Sequence, residues 1–398
     1  MPIAPIPVLA NAAGVDHSPP NANEGPVSSS PELSRPRASV ATAVVYCEGN
    51  FGAVDGKTAN GLVRHSELYE IRAVIDSKQA GLDAGLALGE EANGIPICSD
   101  LADALAQGER VPDYFIYGMA PASGMMSASE RSLALEAMAL GMNLVNGLHE
   151  FLNDDPEFAA ASATWNVQIQ DIRKPRPTKD LRMFRDRIED VLCPRIAVLG
   201  TDCAIGKRTT ATILARVLNE YGLKTALIGT GQTGLIQGAR YGVALDAVPS
   251  QFCSGELEAT IIEAYEGENP DVIIVEGQGA LSHPAFSTSS LILRGSRPDG
   301  VVLQHAPGRA HRCDFAKMAM PTPAAEIDLI QTFSDTKVIG LTINHENLTE
   351  GEVTEAIARY EGELGIPAAD ALAGPSSRLI EMVLAAFPEL REKAVPNP

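Results

Sequence analysis

The chain has 398 residues, of which 45% are hydrophobic, and a formal net charge of −20 at pH 7. This length favours two domains over one core. The acidic balance disfavours nucleic acid and anionic membranes as partners, because both are negatively charged. No apolar run approaches the roughly 18 residues that a membrane helix needs, and no basic segment precedes an apolar core at the N-terminus, so we expect a cytoplasmic protein.

The six cysteines do not form C-x-x-C pairs, so we predict no zinc or other metal site and expect reduced thiols. They are Cys47, Cys98, Cys193, Cys203, Cys253 and Cys313. Cys203 lies between two glycines of a loop, where it is either reactive or simply small enough for a tight turn. The second interpretation is the more economical.

Residues 1–38 are rich in Pro, Ser, Asn and Ala, a composition that cannot bury enough surface to fold alone, and we predict a flexible tail. From residue 39 to 170, apolar strands alternate with helical segments, which predicts a Rossmann-like parallel sheet. The predicted strands are 41–47, 71–77, 94–100, 113–121 and 143–148, and the predicted helices are 101–107 and 127–142. The first turn, "EGNFGAVDGKTANG", is not G-x-G-x-x-G, so a tight turn is favoured over a dinucleotide site.

Residues 171–190 form a basic junction, "DIRKPRPTKDLRMFRDRIED". Such a run is usually a solvated linker and helix face. In a protein this acidic, it could also hold an outlying phosphate group. The linker interpretation is favoured.

Residues 191–398 return to alternating strands and helices, which predicts a second parallel, doubly wound α/β domain of the P-loop NTPase type. The predicted strands are 195–200, 224–230, 271–276, 300–306 and 337–344. The predicted helices are 206–221, 255–266, 322–333, 351–364 and 376–387.

The strongest motif is "RIAVLGTDCAIGKRTTA", residues 195–211. An apolar strand ends at Gly200, and Gly206 and Lys207 open a helix, nearly the phosphate-binding pattern G-x-x-x-x-G-K-[ST]. Backbone N–H groups of such a loop and the helix N-terminus bind an anion. The predicted anion-binding residues are Gly200, Thr201, Asp202, Cys203, Ala204, Ile205, Gly206, Lys207, Arg208 and Thr209.

Arg208 stands where nucleotide hydrolases have the Ser or Thr that binds Mg²⁺. An arginine is permanently charged and cannot bind Mg²⁺. The loop could therefore hold phosphates without cleaving them, as coenzyme A would require. Alternatively, Thr209 reaches the metal after a small shift and the protein is an ordinary Mg-ATP enzyme. The sequence leaves these alternatives close.

Several strand ends carry polar residues where parallel sheets bind their ligands. Glu276 ends the strand "DVIIVE" and is predicted to lie beside the phosphate loop, near a metal or the substrate, where it is a candidate base. The alternative is a structural role as a cap of the next helix. His283 and His305 are further candidate bases, because histidine exchanges a proton near neutral pH. Candidate substrate ligands are Gln232 and Thr233 of "GTGQTG", and Arg240, Arg309 and Arg312, which could clamp carboxylates.

The motifs "GTDCAIGKRTT", "VEGQGALSHP" and "GTGQTG", with the N-terminal "GNFGAVDGKTANGLVRHSELYEIRAVIDS", resemble a two-domain phosphate-loop family formerly of unknown function. Its characterised branch is D-glutamate N-acetyltransferase, and the resemblance spans about residues 40–390. "GTDCAIGK" and "VEGQG" are also similar to the corresponding parts of dethiobiotin synthetase, an ATP-dependent enzyme.

This resemblance implies acetyl transfer from acetyl-CoA to the amine of D-glutamate in D-amino-acid catabolism. It implies that residues 200–209 hold coenzyme phosphates, and that a general base removes a proton from the substrate ammonium. An ATP-dependent ligase or kinase using Mg²⁺ is the alternative. We expect small-molecule substrates and a homo-oligomer.

Overall fold

The computed structural model describes residues 40–121, 123–313 and 315–394. The predicted tail, residues 1–38, lies outside these ranges. Two all-parallel sheets confirm the α/β fold class with two doubly wound domains. Across the described ranges, no helix combines the length and the apolar character needed to cross a bilayer.

The first sheet has six parallel strands in the order β3-β2-β1-β4-β5-β6, which is the strand order of the Rossmann fold. Helices on both faces bury a single apolar cluster that includes Val44, Phe115 and Leu144. The strands are β1 (Ala41–Tyr46), β2 (Tyr69–Ile75), β3 (Ile97–Cys98), β4 (Tyr114–Tyr117), β5 (Asn143–Asn146) and β6 (Ile169–Asp171), and the helices are α1 (Lys57–Arg64), α2 (Ala84–Ala87), α3 (Leu101–Ala106), α4 (Ala128–Ala139) and α5 (Pro156–Trp165).

The second sheet has seven parallel strands in the order β15-β14-β11-β7-β10-β8-β9, and β12 and β13 form a separate antiparallel hairpin. The strands are β7 (Arg195–Gly200), β8 (Thr225–Gly229), β9 (Tyr241–Gly242), β10 (Val272–Glu276), β11 (Gly300–His305), β12 (His311–Arg312), β13 (Phe315–Ala319), β14 (Lys337–Ile343) and β15 (Ala368–Asp370). The helices are α6 (Lys207–Glu220), α7 (Gln232–Gln237), α8 (Ser250–Glu268), α9 (Thr288–Ser296), α10 (Pro323–Phe333), α11 (Glu350–Leu364), α12 (Ser376–Ala386) and α13 (Leu390–Lys393).

The central strand β7 is buried along its whole length, and its side chains alternate between two apolar cores. Ile196 and Val198 face the core beneath α6 and α12, whereas Ala197 and Leu199 face the core beneath α8 and α9. This two-sided burial explains why β7 reads as a continuous apolar run. It also places the loop after Gly200 at the carboxyl edge of the sheet.

Several elements were not predicted from the sequence. The strands β6 and β15 have three residues each, too short for a periodic pattern. Helix α1 arises inside the glycine-rich first turn, and α7 arises inside "GTGQTG"; both are largely buried, so packing outweighs the low helix propensity of glycine. Helix α8 begins at Ser250 rather than near residue 255.

The basic junction between the sheets is paired with protein carboxylates. Arg182 bonds Glu256 at 2.9 Å on α8, and Arg187 bonds Glu266 on the same helix at 2.8 Å. Arg173 reaches Asp246 at 2.9 Å. These ion pairs fasten the junction to residues of the second domain, and the division into linker and domains stays a prediction.

Candidate functional site

The backbone N–H groups of the loop between β7 and α6 are available to a ligand. For the N–H groups of residues 204–209, the structure assigns no acceptor in the described part of the chain. Ala204 has a φ of 48° and Gly206 a φ of 98°, so both lie in the left-handed region. Left-handed residues that alternate with ordinary ones form an anion-binding concavity of amides, and α6 adds its positive N-terminal end.

The carbonyls of this loop are all turned toward protein donors. Arg312 donates to Thr201 O at 3.1 Å, and the Lys207 ammonium donates to Asp202 O. Arg309 donates to Cys203 O at 3.1 Å and to Ala204 O at 2.9 Å. Asn344 Nδ2 and Thr210 N then complete the set by donating to Ile205 O at 3.2 Å and to Gly206 O at 2.9 Å, respectively. This outer ring of donors fixes the loop with its amides free.

Arg309 and Arg312, the predicted carboxylate clamps, contact the loop and its neighbours in the structure. Arg309 also pairs with Glu346 and lies 3.5 Å from Asp202 Oδ2. Arg312 is only 7% exposed, and its guanidinium also bonds Ser282 Oγ at 2.7 Å. Both residues contact the loop rather than an open cavity, so their assignment as substrate ligands stays a prediction that these contacts do not favour.

Lys207 is buried, and its ammonium is turned back onto the loop. Burial lowers the pKa of this lysine, because the charged form is deprived of water. The neighbouring charge of Asp202 opposes that effect. The ammonium thus reinforces the loop conformation.

Glu276 ends β10 and lies at a cavity of about 480 Å³. Its Oε2 atom accepts a hydrogen bond from Thr230 N at 3.0 Å. Gly234 approaches so closely that a Cβ there would lie 2.5 Å from the same oxygen. Burial raises the pKa of Glu276 above the ordinary glutamate value, and the opposing charge of Arg208 counteracts this only in part.

A smaller cavity of about 270 Å³ adjoins the larger one, with which it shares several wall residues. The residues common to both are His65, Arg208, Thr212, Arg216 and Gln237. Thr209 and Arg64 line the smaller cavity. Both halves of the chain therefore form the walls, since His65 belongs to the first and α6 to the second.

The two candidate histidines are enclosed by protein. The His283 side chain is fully buried, its Nε2 lies 3.7 Å from Asp202 Oδ1, and its Nδ1 accepts from Ala285 N at 3.3 Å. His305 bonds Thr201 Oγ1 through Nδ1 at 2.9 Å, and burial lowers its pKa to about 4. Neither ring faces the two cavities, so Glu276 is the better-placed base.

The remaining predicted ligands have separate positions. Gln232 is buried and accepts from Arg173 at 2.8 Å, and Thr233 shares a 2.9 Å hydrogen bond with Thr58 of α1. Both residues thus join α7 to the first half of the chain. Arg240 lines the larger cavity but is 59% exposed and bonds Glu268 at 2.8 Å.

A metal could be considered at Asp202, Cys203 and His283, whose ligand atoms lie within 4.8 Å of one another. Asp202 Oδ1 is buried and has no hydrogen-bond partner among the described residues. However, Arg309 and Arg312 already lie 3.5 Å and 3.8 Å from this carboxylate. Their positive charges disfavour a further cation there.

Sequence reasoning missed Gly61, Arg64, Gln237 and Asn344. Asn344 follows β14 directly, and its position at a strand end was a usable signal. The others lie on or beside short helices whose mutual contact is not encoded in any local pattern. Their place in the site became visible only in three dimensions.

Comparisons with known proteins agree with this architecture. Residues 182–380 match the P-loop domain and residues 77–175 the Rossmann-like domain of the family DUF1611, a domain of unknown function. A crystal structure of a DUF1611 family protein from Anabaena variabilis has a TM-score of 0.79 and 31% identity, and it covers 87% of this chain and 99% of that chain.

Two curated relatives are named D-glutamate N-acetyltransferase. The one from Tritonibacter scottomollicae is 30% identical over 295 residues, which is 72% of this chain and 84% of the relative. The one from Pseudoalteromonas sp is 33% identical over 265 residues, 65% of this chain and 77% of the relative. With both domains matched and a relative aligned over most of its length, the chain belongs to the DUF1611 family, with its N-terminal Rossmann-like and C-terminal P-loop domains.

Proposed function

We propose that this protein is an N-acetyltransferase that moves the acetyl group of acetyl-CoA to the amine of an acidic amino acid, with D-glutamate as the first candidate. Glu276 carries this proposal: a buried carboxyl with a raised pKa lies at a cavity whose wall includes Arg208, one of the residues with a free amide. The names of the two curated relatives supply the reaction class and the candidate substrate.

The loop fits a phosphate group of the coenzyme. Its free amides at 204–209 and the N-terminus of α6 offer hydrogen bonds and positive potential to an anion. Acetyl-CoA carries phosphates that need to be held but not transferred. Arg208 stands at the position where a nucleotide hydrolase has the Ser or Thr that binds Mg²⁺. An arginine there is consistent with a loop that holds a phosphate group without cleaving it.

Glu276 would act as the general base. The ammonium of an amino acid must lose a proton before its nitrogen can attack a thioester, and a base is most effective when its pKa is near the working pH. Burial moves the pKa of Glu276 in that direction. The new bond joins the amine nitrogen to the acetyl carbon, and the carbon–sulfur bond breaks. As the amide forms, the nitrogen loses its second proton, which the leaving thiolate takes up, and Glu276 releases the first proton to solvent.

The test is release of free thiol from acetyl-CoA in the presence of D-glutamate, with L-glutamate as the stereochemical comparison. We expect turnover with the wild type, and a fall of about 100-fold or more for Glu276→Gln, as is usual when a general base is removed. Glu381→Gln is the control, because Glu381 is an exposed carboxylate on α12 paired with Arg391. Absence of thiol release from the wild type with either enantiomer would refute the function.

The amide loop would equally accommodate the phosphates of ATP, which keeps the ligase or kinase alternative in the same experiment. Formation of ADP with Mg²⁺ and an acidic amino acid, without acetyl-CoA, would favour it. Calorimetric binding of acetyl-CoA without binding of ATP would exclude it.

A further inference from the structure

The Arg208 side chain is at the junction of both cavities, and the described residues give its guanidinium no hydrogen bond and no ion pair within 4.0 Å. The side chain is only partly exposed. Burial lowers the pKa of Arg208, because the charged guanidinium is partly deprived of water. A partly buried charge without a partner is costly, and a ligand anion would remove that cost.

The first half of the chain makes space for this guanidinium. At Gly61 of α1, a Cβ would lie 2.6 Å from both terminal nitrogens of Arg208. Arg208 does not cap that helix, because Gln237 Nε2 already donates to Gly61 O at 2.6 Å and to His65 O at 2.8 Å. The absence of a side chain at Gly61 therefore leaves room for the Arg208 guanidinium, which does not cap α1.

Glu276 and Arg208 both line the larger cavity. Each side chain affects the pKa of the other, yet the two form no ion pair within 4.0 Å. At the same junction, Gln237 Oε1 is buried and has no donor among the residues that the structure describes. A cation and a carboxylate thus line one cavity, which a group carrying both an anion and N–H donors would match.

An α-amino acid has these groups on adjacent atoms. On the basis of the proposed acetyltransferase function, we infer that Arg208 binds the α-carboxylate of the acceptor amino acid and directs its amine toward Glu276. Guanidinium and carboxylate form two parallel hydrogen bonds, which fixes orientation as well as position. In this arrangement the loop's anion site is formed by backbone amides, and the arginine that follows the lysine serves the other substrate.

The experiment is a substrate–variant cycle that compares D-glutamate with 4-aminobutyrate, which retains the amine and one carboxylate but lacks the α-carboxylate. Wild type and Arg208→Gln are assayed for thiol release with each acceptor, and acetyl-CoA binding is measured by calorimetry. We expect Arg208→Gln to lower kcat/KM for D-glutamate by about 10- to 100-fold, the effect of one charged hydrogen-bonding contact. The kcat/KM for 4-aminobutyrate and the affinity for acetyl-CoA should change less than about threefold, since neither contact involves an α-carboxylate.

Arg72→Gln is the matched control, because Arg72 is a half-exposed arginine on β2 paired with Glu70. An equal loss for both acceptors, or weaker acetyl-CoA binding in Arg208→Gln, would overturn the inference and assign Arg208 to the coenzyme. If the wild type instead acetylates neither acceptor, the proposed function itself fails, and the two failures are thereby separated.

Discussion

Replacement of Arg309 tests whether the outer ring of donors prepares the loop for an anion. In Arg309→Gln, the donors to Cys203 O and Ala204 O are lost, and Glu346 loses its ion-pair partner. Ala204 then has less to hold it in a left-handed conformation that a non-glycine residue seldom adopts. The loop is expected to leave its anion-binding shape for part of the time.

The magnitude follows from these contacts. A hydrogen bond from a charged group contributes about 1.5–3 kcal/mol. Arg309 makes two such bonds to carbonyls, but Ala204 is exposed, so water replaces part of the loss. We therefore take about 2 kcal/mol as the net cost of restoring the loop, which corresponds to an approximately 30-fold weaker affinity for acetyl-CoA.

Isothermal calorimetry of acetyl-CoA binding measures this change. Arg309→Lys should lie between wild type and Arg309→Gln, because one ammonium cannot bridge two carbonyls and a carboxylate as a guanidinium does. Arg391→Gln is the control, since it removes an exposed arginine of the same charge from α13. If Arg309→Gln binds acetyl-CoA within threefold of wild type, the ring of donors does not organise the loop and the reasoning is refuted.

Three further outcomes can be checked. The rate of acetyl transfer should rise with pH through a pKa above that of ordinary glutamate, because burial raises the pKa of Glu276 and only its deprotonated form is a base; a pH–rate profile without this limb would contradict the assignment. Gly61→Ala should lower kcat/KM for D-glutamate as Arg208→Gln does, because the new Cβ would collide with the Arg208 guanidinium. Gly362→Ala on α11 is the control and should leave the kinetics unchanged, because a Cβ there meets no atom within 4 Å. Burial lowers the pKa of His305 from 6.5 to about 4 in the folded protein. Between these two pH values, His305 binds fewer protons in the folded state than in the unfolded state. Its contribution to stability is therefore fully present above pH 6.5 and is lost as the pH falls. The free energy of unfolding, measured with urea, should fall by about 2 kcal/mol less between pH 7 and pH 5 in His305→Gln than in wild type. An equal fall in the two proteins would contradict the lowered pKa.

Much of this architecture was predictable because each strand of a parallel sheet is followed in the sequence by its ligand-binding loop and then by a helix. The buried run 196–199, the glycines that follow it and the carboxylate at the end of "DVIIVE" are enough to locate β7, the amide loop and Glu276. Each of these signals lies within one strand–loop–helix unit. Local periodicity and turn chemistry suffice for such units.

The roles of the arginines were not predictable in the same way. A guanidinium bonds a backbone carbonyl as readily as a substrate carboxylate, so the sequence predicted Arg309 and Arg312 near a ligand but not which partner each would take. Likewise, the contact of Gly61 with Arg208 joins residues far apart in the chain. Their contact depends on the packing of the two domains, in which α1 of the first lies against α7 of the second.

The shared walls of the two cavities have a consequence for how this polypeptide can be divided. His65 and Glu67 come from one end of the sequence, whereas Gly234 and Glu276 come from the other. If the chain were cut at the junction, each fragment would keep a complete sheet but only part of the walls of the two cavities. Two fragments expressed from a gene split at the junction should therefore each lack acetyltransferase activity and regain it only when they reassociate.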